Sequence, residues 1–142
     1  MTPRQIRLVQ KTWKQVVPIS DWAAADRTAE LFYGRLFQLD PGIRRLFKSD
    51  MKEQGRKLVE IITIAVNCLS KLESLVSVVE DLGRRHIDYG VTEVMFDTVG
   101  EALFWTLKQG LGPAFTADVE AAWTETYNTL ADVMKSAAYA HA

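Results

Sequence analysis

The stretch at residues 72–91, LESLVSVVEDLGRRHIDYGV, decides how the chain reads. Leu75, Val78, Val79 and Leu82 recur at three- and four-residue intervals, the pattern of a helix with one buried face. His86 lies one further turn beyond Leu82, so its imidazole shares that face. Tyr89-Gly90-Val91 then breaks the helix. The other histidine, His141, sits next to the C-terminus, where chains fray. An imidazole at the end of an apolar stripe has two readings. It is a half-exposed side chain favourably placed in the helix dipole, or it is a metal ligand.

Outward from this stretch the same helical period continues. Thr2-Pro3-Arg4-Gln5 is a capping box with proline at the first helical position. Ile6, Val9, Trp13, Val16 and Val17 follow at helical spacing until Pro18 stops the helix. A second helix is expected from Asp21 or Ala24 to Phe37, with Leu31, Phe32, Leu36 and Phe37 inward. Asp40-Pro41 starts a short helix ending near Phe47. Asp50-Met51-Lys52-Glu53 opens a helix carrying Gln54, Leu58, Ile61, Ile62 and Ala65. Beyond the opening stretch, Thr92 is expected to cap a helix from Glu93 to Leu111, closed by Gly110, Gly112 and Pro113. Thr116 is expected to cap a final helix through Ala138. No segment alternates with the two-residue period of a strand. The sequence therefore predicts an all-α chain of about seven helices.

Composition bounds the function. A length of 142 residues fits one domain, 1–142, with a real core. Net charge is −1, so no basic excess favours nucleic acid or an anionic membrane. No apolar run approaches the roughly 20 residues of a membrane span. The N-terminus lacks the apolar core of a secretion signal. These features lead us to expect a soluble, cytoplasmic protein. Cys68 is the sole cysteine, which excludes an intrachain disulfide and reads as a buried, inert thiol. Trp22 and Trp105 read equally as core or interface.

A single histidine cannot hold a bare ion without further His, Cys or carboxylate ligands. A metal that brings its own equatorial ligands, as haem iron does, needs only one. Gln54 and Leu58 share a helix face, 32 residues before His86 in the case of Gln54. Taken singly, Gln54 reads as a surface amide, and Tyr33 and Phe47 read as core aromatics. Taken together, imidazole, phenol, amide and apolar lining suit a slot for a flat metal cofactor. Donors such as the Tyr33 hydroxyl and Gln54 amide would stabilise a diatomic ligand carrying partial negative charge.

Leu31-Phe32-Tyr33-Gly34-Arg35-Leu36-Phe37, Asp40-Pro41 and Leu46-Phe47 resemble the globin stretch that ends in the haem-packing phenylalanine. Gln54-Gly55-Arg56-Lys57-Leu58 is similar to the globin distal-helix motif, and Leu82 through Val91 to the proximal segment. The resemblance spans essentially the whole chain, Trp13 and Trp123 included. It is closest to bacterial single-domain globins, related to the haem domain of flavohaemoglobins and to Vitreoscilla-type haemoglobin.

That resemblance implies a globin fold around haem b, iron protoporphyrin IX. It implies His86 as the iron ligand, Tyr33 and Gln54 as ligand-facing donors, and Phe47 packed on the porphyrin. Leu58 would crowd the gas, Lys57 reach a propionate, and Leu82, Val91, Phe96 and Val99 line the pocket. Two departures stand out. Flavohaemoglobin relatives brace the proximal histidine with a tyrosine and a glutamate, and the matching positions here are Phe96 and Ala140, with Ala138 nearby. The imidazole would then bond to a backbone carbonyl such as that of Leu82. Set against flavohaemoglobins, the resemblance also leads us to expect no attached reductase, so a catalytic cycle would borrow electrons from a separate one. The resemblance thus implies an oxygen-binding protein for storage, transport or scavenging of O2, with CO and NO as further ligands and no catalytic residue assigned. The alternative it implies is a nitric oxide dioxygenase. A sensor module and a haem-free bundle are the remaining classes.

Overall fold

The computed structural model describes residues 1–18, 20–47, 50–88 and 92–139; the side chains of 72–75, 86–88 and 138–139 are outside that description, as are residues such as Val91, Ala140 and His141. Among the described residues there are six α-helices and no strand. They are α1 (Pro3–Val16), α2 (Trp22–Leu39), α3 (Met51–Asn67), α4 (Leu72–Asp88), α5 (Met95–Leu111) and α6 (Ala117–Tyr139). A 3-10 helix at Pro41–Leu46 supplies the short element expected after Asp40, and two further 3-10 turns occupy Leu69–Lys71 and Gly112–Ala114. No helix among these residues is long and apolar enough to cross a membrane.

The helix starts follow from side chains that satisfy free backbone N–H groups. Thr2 and Gln5 form a reciprocal capping box on α1. Asp21 accepts from the Ala24 N–H, Asp40 from Gly42 and Asp50 from Lys52. The Thr116 hydroxyl accepts from Val119 N at the start of α6. Thr92 does not cap as expected. Its carbonyl accepts from Met95 N, two turn residues intervene, and α5 begins at Met95 without a side-chain cap. All four prolines sit at element boundaries, as the sequence predicts.

Packing joins α4 mainly to α6, α2 to α5 and α3, and α1 to α6. Two tryptophans bind the core together. Trp13 donates from Nε1 to Thr63 Oγ1 at 2.9 Å, tying α1 to α3. Trp123 donates to Thr12 Oγ1 at 2.9 Å, tying α6 to α1. Their rings lie 6.0 Å apart. Both indoles are buried with the N–H satisfied, so their apolar area is gained without stranding a donor.

Val78 was expected on the inward face of α4, but it is 53% exposed. The buried line runs through Val79 and Gly83 instead, because α4 lies directly on the α6 backbone at Gly83. A Cβ at Gly83 would sit 2.3 Å from the Met134 carbonyl oxygen and 2.8 Å from its Cα. Neither neighbour is a side chain that can swing aside.

This contact yields a contrasted pair of substitutions. Gly83→Ala gains about 1 kcal/mol of helix propensity, but backbone overpacking costs about 1–3 kcal/mol. At this separation the upper end applies, so urea unfolding should show net destabilisation of roughly 1–2 kcal/mol. Gly34→Ala meets nothing within 4 Å and should instead stabilise by about 0.5–1 kcal/mol.

Candidate functional site

One face of α2 and one edge of α3 build the candidate site. Trp22, Asp26, Ala29 and Tyr33 are spaced four, three and four residues apart, so they form one stripe on α2. Gln54, Gly55 and Arg56 of α3 meet that stripe in reverse order. A Cβ on Gly55 would fall 2.7 Å from the Ala29 Cβ, so only glycine permits this approach. To one side of the contact, Gln54 Nε2 donates to the Tyr33 hydroxyl at 3.5 Å. To the other, Arg56 grips Asp26 with two hydrogen bonds of 3.0 and 3.1 Å. The guanidinium also lies 5.1 Å over the exposed Trp22 ring.

Tyr33 stands in an aromatic nest. Its ring is edge-on to Phe32 at 5.1 Å and to Phe47 at 5.2 Å, and it stacks with Phe37 at 5.9 Å. The residue is only 7% exposed. In the contact with Gln54 the phenol oxygen accepts, and no described residue accepts the phenol's own proton. If the amide is turned over, the Gln54 N–H groups are left free instead. Either way the pair keeps an unspent donor at the edge of the apolar nest, on the buried phenol or on the half-buried amide.

Burial pushes the Tyr33 ionisation up, against a smaller lowering by Gln54, so the hydroxyl stays protonated and able to donate. The hydrogen bonds from Arg56 hold the Asp26 carboxyl below its usual range.

The remaining expected residues fall as follows. Phe47 and Leu58 are half-buried against the core, and so is Val99. Leu82 is half-buried on α4, one turn before the backbone of His86 in the last turn of that helix. The side chain of His86 and all of Val91 lie outside the described residues, as does Ala140. Lys57 is exposed and pairs with Glu53 at 3.6 Å. Phe96 is buried, with its carbonyl accepting from the Tyr127 hydroxyl and Lys135 Nζ 5.7 Å above its ring. Burial, reinforced by the Asp97 charge, pushes the Tyr127 ionisation well up. Cys68 is half-buried at the end of α3. Trp22 proves to be an exposed stacking partner and not core, while Trp105 is half-buried under Arg35, whose guanidinium lies 5.3 Å from its ring centroid. Among the described residues no cluster of His, Cys, Asp and Glu could hold a bare metal ion.

The unspent donor and aromatic nest fit the distal side of a haem site, and the comparisons agree with that class. The globin family model matches residues 30–134, and the chain belongs to the globin family. It is 31% identical to a flavohemoprotein of Rhizobium meliloti (strain 1021) over 72% of this chain and 26% of that one. It is 31% identical to neuroglobin of Danio rerio, over 73% and 74%. A flavohemoprotein of Vibrio cholerae is 29% identical over 94% and 33%. The chain thus spans between a quarter and a third of the flavohemoproteins' length. In fold it is similar to an engineered carbene transferase derived from a candidate nitric oxide dioxygenase of Rhodothermus marinus. The TM-score is 0.83 at 22% identity, over 97% of this chain and 93% of that one. Membership of this family implies haem binding.

Two tyrosines with raised ionisation contribute to a loss of stability at alkaline pH. In the unfolded chain each titrates near its ordinary value of 10.0. The native state favours the neutral phenols, so their contribution is complete below that pH and is lost as pH rises towards the folded values. The thermal midpoint should be insensitive to these groups from about pH 7 to about pH 9 and fall above about pH 10. Tyr127→Phe should flatten part of that alkaline fall.

Proposed function

We propose that this protein binds haem b and holds O2 reversibly and tightly, for oxygen binding, storage, transport or scavenging. The observation that carries the reading is the contact of the buried Tyr33 phenol with the half-buried Gln54 amide, with a donor left over. When bound, haem supplies an iron that takes a diatomic gas and leaves it partly negative. His86 is the candidate iron ligand, standing on the last turn of α4. Phe47 would pack against the porphyrin, with Leu82, Val91, Phe96 and Val99 as further lining. Lys57 would have to leave Glu53 to reach a propionate.

The chain's own work lies mostly on the distal side. Tyr33 would donate a hydrogen bond from its phenol O–H to the gas, and Gln54 would offer an amide N–H beside it. Phe32, Phe37 and Phe47 fix the Tyr33 ring, so no conformational freedom is lost when the bond forms. Leu58 narrows the space and keeps water out. Each hydrogen bond to a partly charged ligand contributes about 1.5–3 kcal/mol. Two together slow escape on the order of a hundredfold or more.

A second reading is nitric oxide dioxygenation with a separate reductase. The distal tyrosine favours it, as does the likeness to flavohemoproteins. Phe96 weakens it, because a phenylalanine offers no hydroxyl to brace the proximal imidazole and make it a stronger ligand. Sustained NO consumption with a supplied reductase would favour the enzyme; a single stoichiometric reaction would favour the carrier.

The direct test is the O2 dissociation rate of Tyr33→Phe. That substitution keeps the aromatic nest and removes only the hydroxyl. A rise of roughly tenfold to a hundredfold is expected. An unchanged rate would mean that Tyr33 does not touch the gas.

A further inference from the structure

Gln54 and Arg56 flank Gly55, each about 100° around the helix axis from it. Gly55 presses on Ala29, so this line of contact is the pivot about which α3 can roll on α2. A roll that moves Arg56 off α2 moves Gln54 towards it, and the reverse roll does the opposite. The two side chains are therefore coupled through the rigid turn that joins them. Side-chain heads lie about 5–6 Å from the axis, so a roll of about 10° displaces them by about 1 Å. The Gln54–Tyr33 contact, at 3.5 Å, is already at the long end for a hydrogen bond. Another 1 Å in the wrong direction abolishes it.

On the α2 side the roll is limited by the Arg56–Asp26 pair, beside the Trp13–Thr63 bond that ties α3 to α1. The pair's two parallel bonds set both the distance and the plane of the guanidinium, which a single contact does not do. Trp22 lies against a face of the same group. The pair is partly exposed, with side chains 42% and 24% accessible, so its contribution to overall stability is small. Its geometry, unlike its energy, is transmitted directly to Gln54.

We propose that Asp26, Arg56 and Trp22 form a latch that sets the roll of α3 and thereby positions Gln54 on Tyr33, making them positioning residues for gas retention. The inference rests on the O2-binding role proposed for the Tyr33–Gln54 pair. An intact latch holds the amide in place. An open one frees α3 to roll either way about Gly55, so Gln54 is no longer held at one place on Tyr33 and the gas escapes faster.

The test uses the haem-loaded protein with Asp26→Asn and Arg56→Lys, the latter keeping the charge and losing the fork. Both should raise the O2 dissociation rate about three- to tenfold, less than Tyr33→Phe, with the unfolding midpoint nearly unchanged. Asp26→Asn combined with Gln54→Ala should be no faster than Gln54→Ala alone. The Gln54 side-chain amide resonance should move in both latch variants, a change that a merely structural surface pair would not cause. Wild-type rates with an unmoved resonance would overturn the latch. So would multiplicative effects in the double variant. If Tyr33→Phe and Gln54→Ala themselves leave the rate unchanged, the gas-binding reading fails, and the Gln54 resonance alone decides the latch.

Discussion

The α2–α3 half of the molecule depends on how closely α3 can lie on α2. Gly55 against Ala29 sets that distance, and no larger pair of residues would fit. The approach brings a half-buried amide to a buried phenol in an otherwise apolar nest. Without it the phenol would stand alone, and the nest would be an ordinary aromatic core. The opposite half obeys a similar constraint, with Gly83 seated on the α6 backbone at Met134. Small residues at two helix crossings thus fix where the helices carrying Gln54 and His86 run.

Trp13, Trp123 and Tyr33 share one buried core cluster, but they spend their polar groups differently. Trp13 and Trp123 tie α1 to α3 and α6 through satisfied, buried indoles well away from Tyr33 in sequence. That frame leaves Tyr33 free to keep a donor unspent. The protonation of Tyr33 is secured by burial, so the same nest that excludes water also keeps the group competent to donate.

Much of this was legible in the sequence, and for local reasons. Thr2, Asp21, Asp40 and Asp50 cap helices because capping needs only neighbours three residues away or fewer. The stripe through Leu31, Phe32 and Leu36 likewise follows from one helix's period. Tyr33 and Gln54 were paired through a resemblance, and they do meet in space. What escaped depends on how one helix sits on another. Hydrophobic spacing points Val78 inward, but the face of α4 is chosen by the Gly83 contact, not by hydrophobicity alone. The local sequence points to Thr92 as the cap of α5, but a backbone turn, and no hydroxyl, starts that helix. The Asp26–Arg56 pair joins charges 30 residues apart, and nothing local marks it. The spacing of Trp22, Asp26, Ala29 and Tyr33 was the one available signal.

The central claim is that this globin holds a gas-binding haem protected by the Tyr33–Gln54 pair. The most direct measurement is the absorption spectrum of the purified protein, reduced without oxygen and again after O2 is admitted. The account predicts a broad five-coordinate ferrous band that converts to a long-lived two-band oxygenated spectrum. A six-coordinate ferrous spectrum without added ligand, or no haem band even after hemin is supplied, would contradict it.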